Sequence, residues 1–244
     1  MASNSIRIGT AGWSLPKAHR SGFGAGASNL ARYATRLNAV EINSSFYRPH
    51  RAATYARWAD TVPEDFRFAV KIPKAITHAQ RLADADALLA QFLSEAGALG
   101  DKLGPLLVQL PPSLKFDAKI AGAFFGGLRA QFGGAVVCEP RHASWFTKSA
   151  DALLRKKRVA VAAADPARVP EAAQPRGDSG IAYFRWHGSP RMYYSNYEPK
   201  QLAGLAVQVR KARKSGAEVW CMFDNTTLGA ATANALEMLQ LTAR

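Results

Sequence analysis

Two short stretches bring together side chains that could transfer protons and bind an anion. In "EPRHASWF" (139–146), Glu139 ends an apolar run and is followed by a cation, an imidazole and an indole. In "RWHG" (185–188), Arg185 and His187 are two residues apart after another apolar run, so they share one strand face. Carboxylates and imidazoles are common acid–base groups, and arginine binds anions in a fixed geometry. We therefore predict that Glu139 and His187 are catalytic.

Polar residues also follow most of the other apolar runs of the chain. If these runs are parallel strands of one barrel, their carboxyl ends meet at one mouth, where such barrels place their active sites. Polar groups that converge in a buried mouth each need a partner, which favours a ligand site there. The residues that we predict to bind the substrate are Trp13, Glu41, Asn43, Tyr47, Lys71, Arg141, His142, Trp145, Arg185, Tyr193, Asp224 and Asn225.

Several of these residues also have a structural interpretation. Glu41 and Lys71 could form an ion pair inside the barrel, and Arg185 could be the buried partner of Glu139. Trp145 could plug the rim of the mouth. A carboxylate beside cations has a lowered pKa and one beside aromatic rings a raised pKa, so the surroundings of Glu139 decide between an ion-pair role and an acid role.

A framework of alternating strands and helices would position these side chains. Eight short apolar runs recur along the chain, and nearly all precede a segment with the helical period of about 3.6 residues. Runs that are apolar throughout are typical of parallel strands covered on both faces. The pattern predicts an α/β fold, namely a single TIM-barrel-like (β/α)8 domain over residues 1–244 with a parallel eight-stranded barrel. The strand candidates are 6–10, 39–43, 66–72, 105–110, 135–139, 159–165, 181–188 and 218–225.

The sequence indicates no cofactor. A doubly wound sheet, the competing fold, usually carries a Gly-rich phosphate turn after its first strand, and "GTAGWS" (9–14) lacks that spacing. The five histidines show neither HxH nor HExxH spacing. A metal site of His187, Glu139 and Asp224 is geometrically allowed across adjacent strands, but nothing in the spacing selects it. We therefore predict neither a cofactor nor a metal.

Composition and charge restrict the partners. The chain has 244 residues, 48% of them hydrophobic, and a net charge of +14. This charge favours a small anionic ligand or nucleic acid, although "RKKR" (155–158) and "RKARK" (210–214) could be solvated helix faces. We find neither a long apolar run nor a signal-peptide core, so we predict a cytoplasmic protein without a membrane partner. Nothing in the sequence indicates an oligomeric state.

Seven motifs resemble one family in content and order. They are "GTAGWS", "VEINSSFYR", "FRFAVKIPKAITH", "LGPLLVQLPPSL", "EPRHASWF", "YFRWHG" and "FDNT". In this order they resemble the YecE-like family, a domain-of-unknown-function family, and the resemblance runs almost from end to end. It implies a TIM-barrel-like fold and no settled activity.

Three functions follow from these observations. The first is an enzyme, with a hydrolase-type activity, that acts on a phosphate-bearing or nucleic-acid-derived anion at the mouth. The alternative is a non-catalytic nucleic-acid-binding module that uses the basic exterior. A weaker alternative is a glycoside hydrolase in which two carboxylates, such as Glu41 and Glu139, act as acid and base or nucleophile.

Overall fold

Strands and helices alternate along the chain in a computed structural model that describes residues 6–243. The strands are β1 Ile6–Thr10, β2 Ala39–Ile42, β3 Arg67–Lys71, β4 Leu103–Gln109, β5 Val136–Glu139, β6 Val159–Val161, β7 Ala163–Asp165, β8 Arg176–Gly177, β9 Ile181–Trp186 and β10 Glu218–Phe223. The α-helices are α1 Asn29–Tyr33, α2 Ser44–Tyr47, α3 Ala52–Thr61, α4 Asp86–Ala96, α5 Ala118–Gln131, α6 Lys148–Lys156, α7 Pro199–Lys214 and α8 Ala230–Thr242. A π-helix spans Ala75–Ala79, and 3₁₀ helices span Lys17–Gly22, Gly97–Lys102, Ala143–Phe146 and Pro170–Ala173.

Local sequence explains where several helices begin. Side chains of Ser28, Asp117 and Thr147 accept hydrogen bonds from backbone N–H groups in the first turns of α1, α5 and α6. These are preferred N-cap residue types because their oxygens satisfy donors that a helix start leaves free. Helix α7 starts with a capping box between Glu198 and Gln201, followed by a proline in the first turn.

The strands form two sheets that are almost entirely parallel. One sheet has the order β1-β10-β9-β7 and the other the order β2-β3-β4-β5-β6-β8. Among the described residues, only the pairing of β6 with β8 is antiparallel. The predicted α/β fold with parallel strands separated by helices is therefore confirmed.

The closed eight-stranded barrel is not seen, and eight parallel strands are not confirmed. The predicted sixth strand, 159–165, divides at Ala162, and its halves pair with different sheets, β6 with β5 and β7 with β9. On the other side, a single bridge between Ala11 and Glu41 links β1 to β2. The two sheets thus adjoin along both edges, but within residues 6–243 no continuous ladder joins them.

The side chains between the two sheets change character along the strands. Near the amino ends, a buried cluster includes Ala69, Val137, Tyr183 and Trp220, with contributions from both sheets. Tyr183 and Trp220 stack with ring centroids 6.2 Å apart. Gly104 leaves room for the indole, because a Cβ there would lie 2.5 Å from an atom of Trp220. A larger apolar cluster packs the other strand faces against the helices.

Within residues 6–243, no helix is long and apolar enough to cross a membrane.

Candidate active site

Along the strand faces that point between the sheets, apolar side chains are followed by charged ones toward the carboxyl ends of the strands. Ala69, Val137 and Tyr183 face the space between the sheets, so the residues two positions later, Lys71, Glu139 and Arg185, face it as well. Each of these residues lies at or near the carboxyl end of its strand. We call the resulting group the strand-end cluster; it consists of Glu41, Lys71, Glu139, Arg185, His187 and Asp224.

Arg185 is the centre of this cluster. It is 0% exposed, and its guanidinium contacts three carboxylates. It donates from Nη2 to Glu41 Oε1 at 2.7 Å, from Nε to Glu41 Oε2 at 2.9 Å and from Nη1 to Glu139 Oε2 at 3.0 Å. Nη2 also lies 3.1 Å from Asp224 Oδ2. The pair of Glu139 and Arg185 is therefore present, and Glu41 pairs with Arg185 rather than with Lys71.

His187 connects two of the same carboxylates. Its Nε2 lies 3.0 Å from Glu139 Oε1 and its Nδ1 lies 2.9 Å from Asp224 Oδ2. Burial by itself would lower the pKa of His187, but Glu139 and Asp224 outweigh burial and raise this pKa. An imidazolium with both N–H groups donating fits this position, because a carboxylate faces each nitrogen.

The carboxylates respond in the opposite direction. Burial would raise the pKa of Glu139, but Arg185, Arg141 and His187 hold this pKa well below its usual range. The pKa of Asp224 is lowered in the same way, against burial, by Arg185 and by its hydrogen bond with His187. Glu139 thus lies in an ion-pair environment and not against apolar rings.

Lys71 differs from the other charged members of the cluster. Its side chain is 5% exposed, and no carboxylate within the described residues lies within 4 Å of its ammonium group. The ammonium nitrogen instead lies 3.9 Å from the centroid of the Phe46 ring. Burial and the neighbouring Arg185 lower the pKa of Lys71 to about 8, although the nearby carboxylates act against this change.

Arg141 and Tyr193 cover the outer side of the cluster. Arg141 donates to Glu139 Oε1 at 3.2 Å and to the Tyr193 hydroxyl at 3.3 Å. The Tyr193 ring packs edge-on against His187, with ring centroids 5.6 Å apart. Both side chains are only partly buried, so they lie between the charged cluster and solvent.

Two asparagines that were predicted to bind the substrate lie beside the cluster, and the side-chain oxygen of each is buried. Asn43 donates to Asp224 Oδ1 at 3.4 Å, while Asn225 donates to Ser195 O and to Asn234 Oδ1, each at 2.9 Å. Within the described residues, the side-chain oxygens of Asn43 and Asn225 are buried and accept no hydrogen bond.

The remaining predicted contacts lie away from the charged network. Trp145 is buried, packs edge-on against Phe116 and donates from its indole to Leu114 O at 2.9 Å, so it supports the loop. His142 caps the 3₁₀ helix by accepting from Ser144 N. Trp13 packs edge-on against Trp58, and Tyr47 is 69% exposed beside Phe46.

Two residues take part in the site without having been predicted to belong to it. The Tyr183 hydroxyl donates to Glu41 Oε2 at 2.8 Å, and Phe46 forms the surface under the Lys71 ammonium. Tyr183 lies within an apolar strand and so gives no polar signal of its own. Its position two residues before Arg185 nevertheless indicates that both side chains point to the same face of β9. Phe46 follows a strand end in "NSSFYR" and has no comparable signal.

The side chains of the cluster that could bind a metal ion contact one another and Arg185 instead. Among residues 6–243, no group of three or more His, Cys, Asp or Glu side chains could hold a metal ion. In the sequence-based candidate set, both ring nitrogens of His187 face carboxylates, and those carboxylates also contact Arg185.

Curated relatives agree with the YecE-like resemblance. The UPF0759 protein YecE of Escherichia coli K12 is 32% identical over 144 residues, which cover 59% of this chain and 51% of that protein. The chain thus spans about half the length of this relative in the matched region. The UPF0759 protein YunF of Bacillus subtilis 168 is 24% identical over 97% of this chain and 94% of that protein.

Solved structures agree on the fold. A DUF72 family protein from Enterococcus faecalis V583 has a TM-score of 0.83 and 23% identity, covering 98% of this chain and 96% of that one. A xylose isomerase-like TIM barrel/4-hydroxyphenylpyruvate dioxygenase fusion protein has a TM-score of 0.52 and 13% identity, over 97% of this chain and 42% of that one. At these identities the likenesses establish a TIM-barrel-like fold alone.

The family comparison covers nearly the whole chain. The family described as "Protein of unknown function DUF72" matches residues 7–244. The YecE-like resemblance that the seven motifs predict is confirmed, and the chain belongs to the DUF72 family.

Proposed function

We propose that the protein is an enzyme that binds an anionic substrate at the strand-end cluster and transfers protons there. The observation that carries this proposal is Lys71, a nearly buried ammonium group with no carboxylate of residues 6–243 within 4 Å, although three carboxylates belong to the same cluster. A buried cation without a counter-ion is costly, so a site that retains one is suited to an anion from solution.

The charges of the cluster support an anionic substrate. Glu41, Glu139 and Asp224 contribute three negative charges, and Arg185, protonated His187, Lys71 and the adjoining Arg141 contribute four positive ones. The site therefore carries one excess positive charge when Lys71 is protonated. Because Arg141 and Lys71 are the most exposed of these four cations, they are the groups that meet the anion.

Glu139 and His187 are the proton-transfer groups of this proposal. They are 3.0 Å apart, and Arg141 and Tyr193 cover them. The contacts between Arg141 and the Tyr193 hydroxyl are long, at 3.3 Å, so a substrate anion can replace the hydroxyl as the partner of Arg141. This exchange uncovers the Glu139–His187 pair next to the bound substrate.

Arg185 and Glu41 act as positioning residues. Neither has exposed surface, so neither can touch a substrate without rearrangement of the cluster. Arg185 fixes Glu139 and Asp224 on either side of His187, and the Tyr183 hydroxyl holds Glu41 in turn. Their contribution is the orientation of the acid–base pair.

Titration with inorganic phosphate, sulfate and small carboxylates, read by calorimetry and thermal melting, tests anion binding. We expect at least one anion to bind the wild-type protein and Lys148→Met, an exposed-lysine control, but to bind Lys71→Met much more weakly. Binding should weaken as the pH rises through about 8, because Lys71 then loses its proton. Equal binding to wild type and Lys71→Met would overturn the assignment.

A hydrolase screen with phosphate esters tests turnover. Glu139→Gln and His187→Asn should abolish turnover while Lys71-dependent anion binding remains. A variant pair with full activity would remove both residues from the catalytic role.

A second candidate function, nucleic-acid binding, rests on a groove at the other end of the strands. Arg155 of α6, Arg176 of β8 and Lys211 of α7 line this groove, which has a volume of about 430 Å³ and reaches the first residues of β9. The two basic segments seen in the sequence thus contribute to one surface. Asp151 offsets part of this charge, because it lies 2.9 Å from Arg155.

Salt dependence of oligonucleotide binding tests this second candidate. Binding through several phosphates should lose orders of magnitude in affinity between roughly 50 and 200 mM salt. Arg155→Glu/Lys211→Glu should weaken binding uniformly across sequences, whereas Lys115→Glu/Lys119→Glu, with exposed lysines elsewhere, should not. The candidate fails if no DNA or RNA binds at low salt.

The geometry gives little support to a glycoside hydrolase. Glu41 and Glu139 contact the same guanidinium, and Glu41 has no exposed surface. A sugar would have to displace Arg185 to reach both carboxylates.

A further inference from the structure

A second recess adjoins the strand-end cluster and takes no part in the function proposed above. It has a volume of about 530 Å³, a size typical of small-molecule sites. Its lining comes from three segments that follow β2 and β3: α2 with Phe46, the π-helix with Ile76, and α4 with Leu88 and Phe92. These side chains give the recess a mainly apolar wall.

Phe46 connects the recess to Lys71. One ring surface of Phe46 lies under the Lys71 ammonium, 3.9 Å from its centroid, and the same side chain lines the recess. The His78 ring packs edge-on against Phe46, with centroids 5.0 Å apart, and also lines the recess. The apolar recess and the Lys71 ammonium group therefore share Phe46 as a common neighbour.

Cationic groups surround this junction. Burial, followed by the charges of Lys71, Arg141 and Lys74, lowers the pKa of His78. Arg48 and Lys74 belong to the lining itself. The carboxylate of Glu95 also lines the recess, and it accepts a hydrogen bond from Gln91. The lining thus contains two basic side chains and one carboxylate.

The π-helix forms part of the wall of the recess. Its backbone bonds span five residues, as in the bond from Gln80 N to Ala75 O at 2.9 Å, and such segments often occur at functional sites. Ala75 and Ala79 contribute only methyl groups to the lining, which leaves space for a flat group beside Phe46.

We propose that this recess binds the aromatic ring of a substrate whose anionic group is held by Lys71. The substrate class is a ring-bearing anion, such as an aryl phosphate, rather than a free inorganic anion. This inference rests on the proposed function and adds a second element of recognition, because the Phe46 side chain both lines the apolar recess and contacts the Lys71 ammonium group.

Calorimetric titration with inorganic phosphate and phenyl phosphate tests the proposal. For the wild-type protein we expect phenyl phosphate to bind roughly 10- to 100-fold more tightly, with a more negative heat-capacity change from burial of the ring. Ala75→Trp fills the recess and should remove this advantage without changing phosphate affinity. Ala203→Trp, at an exposed position on α7, should retain it. Lys71→Met should weaken both ligands.

A second filling variant protects the test against misfolding. Leu88 is partly exposed at the edge of the recess, so Leu88→Trp fills the recess from α4 with little effect on the core. If the ring advantage persists in folded Ala75→Trp and Leu88→Trp, the recess does not hold the ring. If phosphate and phenyl phosphate bind equally in a Lys71-dependent manner, the recess proposal fails while the proposed function stands. If neither ligand binds, the recess proposal fails, and the proposed function fails with it if sulfate and small carboxylates do not bind either.

Discussion

Arg185 and Lys71 are two buried cations of one cluster with opposite surroundings. Arg185 contacts three carboxylates and has no exposed surface, whereas the Lys71 ammonium lies over an aromatic ring without a carboxylate within 4 Å in the described structure. The guanidinium can bind several oxygens in fixed directions, while an ammonium is a compact charge whose pKa shifts readily on burial. The comparison separates a cation that holds the site together from one that is available to a ligand.

The largest expected effect comes from Arg185→Met. This change leaves Glu41, Glu139 and Asp224 buried with one cation fewer, and breaking a buried pair in this way costs about 3–5 kcal/mol of unfolding free energy. Chemical denaturation should show this loss. Arg155→Met, at an exposed pair with Asp151, should change stability by less than about 1 kcal/mol. A stable Arg185→Met variant would contradict the structural role.

A double-mutant cycle of Glu139→Gln and Arg185→Met measures how far the two side chains act as one unit. Because they are in direct contact at 3.0 Å, we expect a coupling energy of about 0.5–3 kcal/mol, with the double variant less damaged than the sum of the singles. Additive losses would show that Arg185 stabilises the site mainly through Glu41 and Asp224.

The opposite sign is expected for Lys71→Met, which removes a buried charge without a carboxylate within 4 Å among the residues that the structure describes. Stability should increase by roughly 1–3 kcal/mol at pH 7, while anion binding weakens. Since burial lowers the folded-state pKa of Lys71 to about 8, from an ordinary 10.5, the penalty is complete below pH 8. The penalty decreases as the pH rises from about 8 to 10.5, because in this range Lys71 is protonated only in the unfolded chain.

Denaturation of wild type and Lys71→Met across this pH range measures the expected change. The advantage of the variant should shrink as the pH rises above 8. A constant difference, or a destabilised variant at pH 7, would show that Lys71 has a stabilising partner in solution.

The smallest effect is expected for Tyr193→Phe. The lost hydroxyl accepts two contacts of 3.3 Å from Arg141, near the limit of useful hydrogen bonds, so stability should fall by less than about 1 kcal/mol. Anion affinity should rise instead, because Arg141 no longer exchanges one partner for another. Calorimetry with phosphate measures this change, and an unchanged affinity would argue against the exchange of partners.

Periodicity explains why much of the cluster could be predicted from the sequence. Lys71, Glu139 and Arg185 each lie two residues after an inward-facing residue, so apolar strands with polar carboxyl ends indicate one charged layer. The parallel α/β fold follows from the same pattern.

Partner choice and strand continuity could not be predicted in this way. Which carboxylate Glu41 or Lys71 contacts depends on how distant strands lie across the space between the sheets, and local sequence does not encode those distances. The division of 159–165 at Ala162 is also a matter of which neighbours pair with each half. Trp145 belongs to the same class, because its partner Leu114 is 31 residues away.

The change from apolar to charged residues along the inner strand faces has a consequence for folding fidelity. A slip of one residue in β9 would turn Arg185 toward the helices and Trp186 toward the carboxylates, because neighbouring strand residues point to opposite faces. The slipped pairing would bury a cation in the apolar helical layer and leave Glu41 and Glu139 without it. The charged layer therefore disfavours a shifted strand register, including shifts that the surrounding apolar residues alone would tolerate.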